Sequence, residues 1–118
     1  MPSLRTSIRL PTDLKECLHT VAVAEYGQRG ISRWINDAVA EYFTVDPGLD
    51  LVGVGDDIVV KDQIIQIRLT ADARERLEQG IALLRRQDPF IKDPLGSLLR
   101  AAIRLKLDKA DTVSADVQ

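Results

Sequence analysis

The chain has 118 residues, of which 45% are apolar and 29% charged, and its formal net charge is −2. This length accommodates one domain or two very small ones that share a core, and the composition is typical of a soluble globular protein. A pI near 5.3 disfavours a protein that coats nucleic acid non-specifically, because such proteins are basic as a whole or in patches. A single cysteine, with no membrane-length apolar run and no apolar leader, predicts a cytoplasmic protein without a membrane partner.

The first predicted elements are a strand and a helix. Apolar and polar residues alternate over Leu4–Leu10, which indicates a half-buried strand. Its inner face is expected to carry Thr6, Ile8 and Leu10. Pro11 lacks a backbone donor and ends the strand. Thr12 and Asp13 then favour the start of a helix that runs to about Tyr26.

A turn and a second helix follow. Gly27, Arg29 and Gly30 mark the turn, and Ser32 is the predicted N-cap of the helix. The apolar residues of this helix recur at the spacing of one face, which is the clearest amphipathic pattern in the chain. They are Ile31, Trp34, Ile35, Ala38, Val39, Tyr42 and Phe43. Trp34 is therefore expected in a core rather than as a stacking platform for bases.

Residues 45–62 have the composition of a linker, since they combine proline and glycine with five aspartates. Two apolar stretches within it, 51–52 and 58–60, indicate either a small hairpin or a segment that lies on the core. Residues 63–107 then repeat the plan of strand, helix and helix. Thr70 is the predicted N-cap of a helix that runs to about Arg86, and Gly80 within it indicates close helix packing. Asp93 and Pro94 open the last helix.

The two halves align with each other. A shift of 59 residues places residues 8–10 on residues 67–69, and a shift of 64 places Ile35 on Leu99. The sequence therefore predicts two similar units joined by a linker. The predicted divisions are a first unit over 1–44, an acidic linker over 45–62, a second unit over 63–107 and a disordered tail over 108–118. Their net charges are 0, −4, +4 and −2 respectively, so the acidity lies outside the second unit.

Both units resemble the ribbon-helix-helix unit of Arc/MetJ/CopG-type DNA-binding proteins. The resemblance rests on residues 5–11 and the helix that follows them, and on residues 30–32, 35–39 and 66–107. In that family two units pair, their strands form an antiparallel ribbon that enters the major groove, and their helices interlock beneath it. The resemblance implies a mainly α fold with a short two-stranded antiparallel β-ribbon and two ribbon-helix-helix units in one chain. In plan the chain is similar to relaxosome accessory proteins of conjugative plasmids.

Pairing of the two strands within one chain is favoured, and pairing between chains stays open. The linker of 18 residues has a coil dimension of about 23 Å, which permits either arrangement. Internal pairing predicts an asymmetric DNA site, because the two strands differ in sequence. Pairing between chains predicts a palindromic site.

The candidate binding residues follow from this ribbon. Those expected to contact base edges are Arg5, Ser7, Arg9, Gln66 and Arg68, and those expected to contact phosphates at helix N-termini are Ser32, Arg33, Gly96 and Ser97. Ile64 stands where the first strand has Arg5 and offers only an apolar contact to a thymine methyl. Asp93 would repel a phosphate at the second helix end. The alternative interpretation is a solvated polar sheet face with ordinary helix capping.

Other functional classes are disfavoured. The sequence has no phosphate loop, no paired nucleophile and base, and no paired-carboxylate pocket, so no enzyme and no cofactor are expected. Cys17 and His19 point in different directions on one helix, so no metal site is expected, and Cys17 is predicted to be half-buried. The sequence predicts sequence-specific duplex DNA binding, as a transcriptional repressor or a plasmid transfer or maintenance factor. A protein-interaction module or an antitoxin that retains the fold is the alternative, and further self-association on DNA stays open.

Overall fold

The computed structural model describes residues 4–53, 61 and 63–116, with residues 4 and 110–116 described by backbone only. Its elements are β1 (Leu4–Leu10), α1 (Thr12–Tyr26), α2 (Ile31–Val45), β2 (Gln63–Leu69), α3 (Ala71–Gln87) and α4 (Pro94–Asp116). The order strand, helix, helix thus occurs twice. The predicted mainly helical fold with one two-stranded antiparallel sheet is confirmed.

The two strands pair with each other inside the chain. They run antiparallel, with Leu4 opposite Leu69 at one end and Leu10 opposite Gln63 at the other. Ser7 lies opposite Gln66 at the centre, and these two residues are equivalent under the shift of 59 that relates the two halves of the sequence. The pairing is therefore symmetric about its middle, with a local two-fold axis between Ser7 and Gln66. The internal pairing that the sequence favours is the pairing observed.

The core lies beneath the ribbon and between the helices. Four inner residues of the strands, Ile8, Leu10, Ile67 and Leu69, are buried, and Thr6 and Ile65 are half-buried. The apolar stripes of α2 and α4 are also buried and form the most extensive helix–helix contact. The largest fully buried side chains are Trp34, Tyr42, Leu10, Leu18, Ile35, Ile67, Leu69, Leu98, Leu99, Ile103 and Val39. Burial of one large apolar side chain contributes about 1.5–3 kcal/mol. The prediction that Trp34 is a core residue is confirmed.

Two helix starts were predicted from capping residues, with different outcomes. The Thr70 hydroxyl accepts a hydrogen bond from the backbone N–H of Ala73 at 3.1 Å, which confirms it as the N-cap of α3. The prediction for Ser32 is wrong, because α2 begins at Ile31 and its N-cap is Gly30, two residues before Ser32. Gly30 packs so closely on Tyr26 that an added Cβ would lie 2.2 Å from the Tyr26 Cβ. Ser32 instead lies in the first turn of α2.

Gly80 marks the close helix packing that the sequence predicts. A Cβ at this position would lie 3.0 Å from ring carbons of Phe43 on α2 and 3.1 Å from a methyl of Leu98 on α4. Such distances are tighter than ordinary van der Waals contact. The missing side chain therefore lets α3 approach α2 and α4 at the same point.

The linker and the tail differ in part from expectation. The start of the linker lies on the core, since Leu49 is 3% exposed and Val52 packs against the same cluster. The predicted apolar stretch 58–60 lies outside the described residues. Helix α4 continues to Asp116, where the sequence predicts a disordered tail from residue 108. No glycine or proline follows Gly96 in this segment, so nothing in the sequence ends the helix after Leu107, the last residue with a described side chain that contacts the core.

Cys17 is exposed, so the prediction that it is half-buried is wrong. It lies on the outer side of α1, whereas Leu18 beside it is buried in the core. Among the residues described here, no helix combines the length and the apolar character needed to cross a membrane.

Candidate nucleic-acid interface

The outer face of the ribbon is formed by the six side chains that alternate with the buried ones. They are Arg5, Ser7 and Arg9 on β1 and Ile64, Gln66 and Arg68 on β2, and all six are exposed. All five residues that the sequence predicts to contact bases therefore lie on one surface. Neither strand contains an acidic residue, although the chain as a whole is acidic. This face is thus locally basic and polar.

The strand register brings two arginines together. Arg5 lies directly opposite Arg68, whereas Arg9 lies opposite Ile64. The backbone N–H and C=O of Arg68 bond to α2 instead of to β1, so Arg5 and Arg68 form a non-hydrogen-bonded pair. Pairs of this kind have their Cα atoms about 4.5 Å apart, which is the closer of the two spacings in an antiparallel sheet. Like charges in this arrangement destabilise a ribbon unless an anion lies between or above them.

The outer edge of β2 is bonded to the beginning of α2. The Ser32 hydroxyl accepts a hydrogen bond from the Arg68 N–H at 3.0 Å. The Asn36 side-chain amide donates to the Arg68 carbonyl at 2.9 Å and accepts from the Thr70 N–H at 3.0 Å. The same Asn36 amide also donates to the Ser32 carbonyl at 2.8 Å. The backbone around Arg68 is therefore held from both sides, by β1 and by α2.

The outer edge of β1 is bonded to α4 by a buried arginine. Arg100 is 3% exposed, and its guanidinium donates to the Arg9 carbonyl at 3.1 Å. It also lies 3.4 Å from the Ser97 hydroxyl and 3.6 Å from a carboxylate oxygen of Asp93. The backbone at Arg9 is thus tied to the first turns of α4.

The N-terminus of α2 is open. Within the described part of the chain no side chain caps it, so its first backbone N–H groups and the positive end of its dipole are available to an anion. The Arg33 guanidinium lies over the Tyr26 ring, 4.5 Å from its centre, while the Tyr26 hydroxyl donates to Asp37 at 2.6 Å. That hydrogen bond raises the pKa of Tyr26 above its ordinary value. Stacking on the ring orients Arg33 at the helix end.

Ser32 also lies close to the outer face of the ribbon. A shallow hollow of about 280 Å³ is lined by Arg5, Ser32, Gln66, Ile67 and Arg68. The structure thus brings one residue predicted for phosphate contact together with three predicted for base contact.

The N-terminus of α4 is closed by contrast. Asp93 accepts a hydrogen bond from the Gly96 N–H at 3.1 Å, and Gly96 is buried. A Cβ at Gly96 would lie 2.1 Å from the Asp93 carboxylate, so a larger residue here would require that carboxylate to move. Of the four residues predicted for phosphate contact, Ser32 and Arg33 lie at an open helix end. Gly96 and Ser97 lie at an end that a carboxylate already occupies.

Sequence reasoning missed Asn36 and Arg100. They are equivalent under the shift of 64 residues that relates the two later helices, and each lies one turn into its helix beside the apolar stripe. That pair of polar residues at matching positions is the signal that was available. Their roles depend on contacts with the strand of the other half, 32 and 91 residues away along the chain.

Comparison with known proteins gives no independent assignment. No family model, no curated protein and no solved structure shows significant similarity to the chain. The function of the ribbon surface is therefore inferred from its geometry and charge together with the sequence pattern.

Proposed function

We propose that the chain is a tandem ribbon-helix-helix protein that binds duplex DNA sequence-specifically, with the outer face of the ribbon in the major groove. The major groove admits a two-stranded ribbon, and β-ribbon proteins of this class use it in this way. The biological role that fits is a cytoplasmic transcriptional repressor or a plasmid transfer or maintenance factor.

The observation that carries the proposal is the pairing of Arg5 with Arg68 on an exposed face without acidic residues. Two opposed guanidinium groups are unfavourable in a free ribbon, and an anionic partner makes them favourable. Arginine also gives two parallel hydrogen bonds to guanine, which is the commonest specific contact to a base. A purely structural role for this pair would leave the repulsion between the two guanidinium groups without compensation.

The register indicates how the bases would be read. At one end Arg5 and Arg68 would contact guanines, and at the other end only Arg9 would, with Ile64 against a thymine methyl. Gln66, at the centre beside Ser7, would contact adenine. The ribbon would therefore prefer a site whose two ends differ.

Phosphate contacts would hold the ribbon in register without reading sequence. The open end of α2, with Ser32 and Arg33, is the better of the two phosphate sites. The α4 end, with Gly96 and Ser97, is the weaker, because the Asp93 carboxylate is bound there. The asymmetry of the protein thus extends from the base contacts to the backbone contacts.

A protein-interaction module is the second candidate, and two exposed apolar side chains favour it. Ile64 is 54% exposed on the outer face of the ribbon, and Phe90 is 89% exposed in the loop between α3 and α4. A ribbon surface that no longer bound DNA would be expected to gain exposed apolar residues of this kind. An antitoxin would need a partner-binding segment beyond the two units.

Salt titration distinguishes the candidates. Binding to a mixed-sequence duplex is measured by fluorescence anisotropy between 50 and 200 mM salt, a range over which phosphate contacts weaken affinity steeply. We expect the logarithm of the affinity to fall linearly with the logarithm of salt concentration, with a slope of about −0.9 for each phosphate contact. Absence of duplex binding at low salt, or binding that does not respond to salt, would favour the protein-interaction module.

A further inference from the structure

We infer that Asn36 and Arg100 are the positioning residues of the DNA-binding face, each fixing one of the two equivalent arginines that read bases. Asn36 fixes the backbone at Arg68, and Arg100 fixes the backbone at Arg9. The inference rests on the proposed DNA-binding function and adds the two residues that set its geometry. The two act at opposite ends of the ribbon.

The two contacts involve residues at equivalent positions of the two halves, although the donor side chains differ. Arg9 and Arg68 are related by the shift of 59, and Asn36 and Arg100 by the shift of 64. In each case a helix of one half bonds the strand of the other half, and the carbonyl bonded belongs to the equivalent arginine. An amide and a guanidinium therefore perform the same task at the two ends of a pseudo-symmetric ribbon.

Neither side chain is free to contact DNA itself. Both hydrogens of the Asn36 amide are donated, to the carbonyls of Ser32 and Arg68, and its oxygen accepts from Thr70. Arg100 is buried beneath the edge of β1. Their effect on binding must therefore pass through the ribbon backbone.

The ribbon needs such support because, in the part of the chain that the structure describes, it consists of two strands. A two-stranded sheet is marginally stable alone, and each of its outer edges lacks a neighbouring strand. A bidentate contact to guanine depends on accurate placement of the guanidinium, so a small shift of the backbone at an arginine weakens it. Asn36 and Arg100 supply the missing edge contacts at the two arginines concerned.

Each positioning residue also connects base reading with phosphate contact. Asn36 and Ser32 lie in the first turns of α2 and bond to Arg68 on β2, and the N-terminus of α2 is the open anion site. Arg100 contacts Asp93, which binds the Gly96 N–H at the start of α4. The distance between a helix N-terminus and a base-reading arginine is therefore fixed by the protein at each end of the ribbon.

The test compares Asn36→Ala with Arg100→Met, which serve as controls for each other because they act at opposite ends. The first measurement needs no DNA and follows backbone amide signals by NMR. Arg100→Met is expected to move the Leu10 amide, in the peptide that contains the Arg9 carbonyl, and to leave Leu69 unchanged. Asn36→Ala is expected to move the Leu69 amide signal and to leave Leu10 unchanged. It should also speed hydrogen exchange at the Thr70 amide. Shifts of equal size at both ends in both variants would overturn the positioning roles whatever the DNA result.

The second measurement uses the DNA site selected by the wild-type chain and all its single-base variants. Arg100→Met should lose discrimination between bases, about tenfold per base pair, only at the positions where Arg9→Ala loses it. Asn36→Ala should lose it only at the positions where Arg68→Ala loses it. Arg100→Lys keeps a donor for the Arg9 carbonyl and should restore part of the loss. If Arg100→Met does not fold, Arg100→Lys should show a smaller loss of discrimination that is confined to the same positions.

A merely structural effect would lower affinity for all sites equally and leave the base preferences intact, which would refute the inference. If the NMR shifts appear as expected but the wild-type chain has no sequence preference, the proposed function fails and the positioning for base reading fails with it.

Discussion

Arg68 is the residue at which the outer face, the ribbon edge and α2 meet. Its side chain is exposed opposite Arg5, while its backbone N–H and C=O are bonded to Ser32 and Asn36. A fixed backbone with a free guanidinium is what a bidentate contact to guanine requires. For Arg9 the corresponding edge contact comes from Arg100 alone among the bonds described here.

Replacement of these two arginines tests the base-reading role at the residue scale. Arg9→Ala with Arg68→Ala should abolish the preference for the selected site over a mixed-sequence duplex, because each bidentate contact contributes about 1–3 kcal/mol of discrimination. Residual non-specific binding should fall less, since phosphate contacts remain. Competition binding at constant salt measures both quantities.

Arg76→Ala is the control with the same loss of charge per residue. Arg76 lies on α3 beside Pro47 and Leu49, near the C-terminal end of α2 and away from the ribbon, and its ion pair with Asp72 is largely exposed. This variant should keep the site preference. If the double variant discriminates as well as Arg76→Ala does, the outer face of the ribbon is not the base-reading surface.

At the scale of elements, a buried carboxylate fixes the end of α2 and the start of the linker. Asp46 is 7% exposed, and its carboxylate accepts hydrogen bonds from the Tyr42 hydroxyl at 2.5 Å and from the N–H groups of Leu51 and Asp50 at 2.8 and 3.0 Å. Burial acts to raise the pKa of Asp46, but these three hydrogen bonds outweigh it and hold the pKa below its ordinary value. Burial, with the bond to Asp46, raises the pKa of Tyr42.

The lowered pKa of Asp46 makes a prediction about stability and pH. Because the folded state favours the ionised carboxylate, its contribution is present above the unfolded pKa of about 3.9 and is lost as pH falls through the lower folded value. Asp46→Asn should be less stable than wild type by about 1–3 kcal/mol at neutral pH, since an amide oxygen cannot replace both carboxylate oxygens. Urea unfolding at several pH values measures this difference, which should shrink below about pH 4.

Asp50→Asn provides the matched control, because Asp50 is exposed and lies only four residues further along. It removes the same charge and should leave the stability at neutral pH nearly unchanged. A gap between Asp46→Asn and wild type that stays constant from neutral to acid pH would contradict the assigned role of the carboxylate.

The elements could be predicted where local physics decides them. Alternation over Leu4–Leu10 defines a strand with one buried face, and the stripe around Trp34 defines a buried helix face. Thr70 caps α3 through a bond three residues away, which a sequence pattern captures. Ser32 is not the cap of α2, because the helix begins at Ile31 and the Ser32 hydroxyl accepts a hydrogen bond from the Arg68 N–H, 36 positions away along the chain.

For the candidate site, the sequence could predict only which side chains of each strand point outward. The outward set on each strand follows from the period of two, but the opposition of Arg5 and Arg68 depends on the register, which pairs residues 63 positions apart. The roles of Asn36 and Arg100 depend on the packing of each helix on the strand of the other half. The Asp93 carboxylate accepts the Gly96 N–H, so the N-terminus of α4 is less accessible to an anion than that of α2. The sequence indicated this difference only through the charge of Asp93.

At the scale of the whole molecule, the backbone arrangement is nearly two-fold symmetric, whereas the outer face of the ribbon and the helix ends beside it are not. The strands are related by a local two-fold axis between Ser7 and Gln66, and the helix contacts to their edges obey the same relation. The departures from symmetry are concentrated where DNA would lie, with Arg5 against Ile64 on the ribbon and the open α2 end against the closed α4 end. A single chain therefore presents a complete ribbon whose two ends differ.

Selection of bound sequences from random duplex DNA tests this arrangement most directly. One chain with an internally paired ribbon should enrich an asymmetric site, with guanines at adjacent positions at the Arg5 and Arg68 end and a guanine beside a thymine at the Arg9 and Ile64 end. Enrichment of uniformly palindromic sites, or no enrichment above the starting pool, would contradict base reading by one internally paired ribbon.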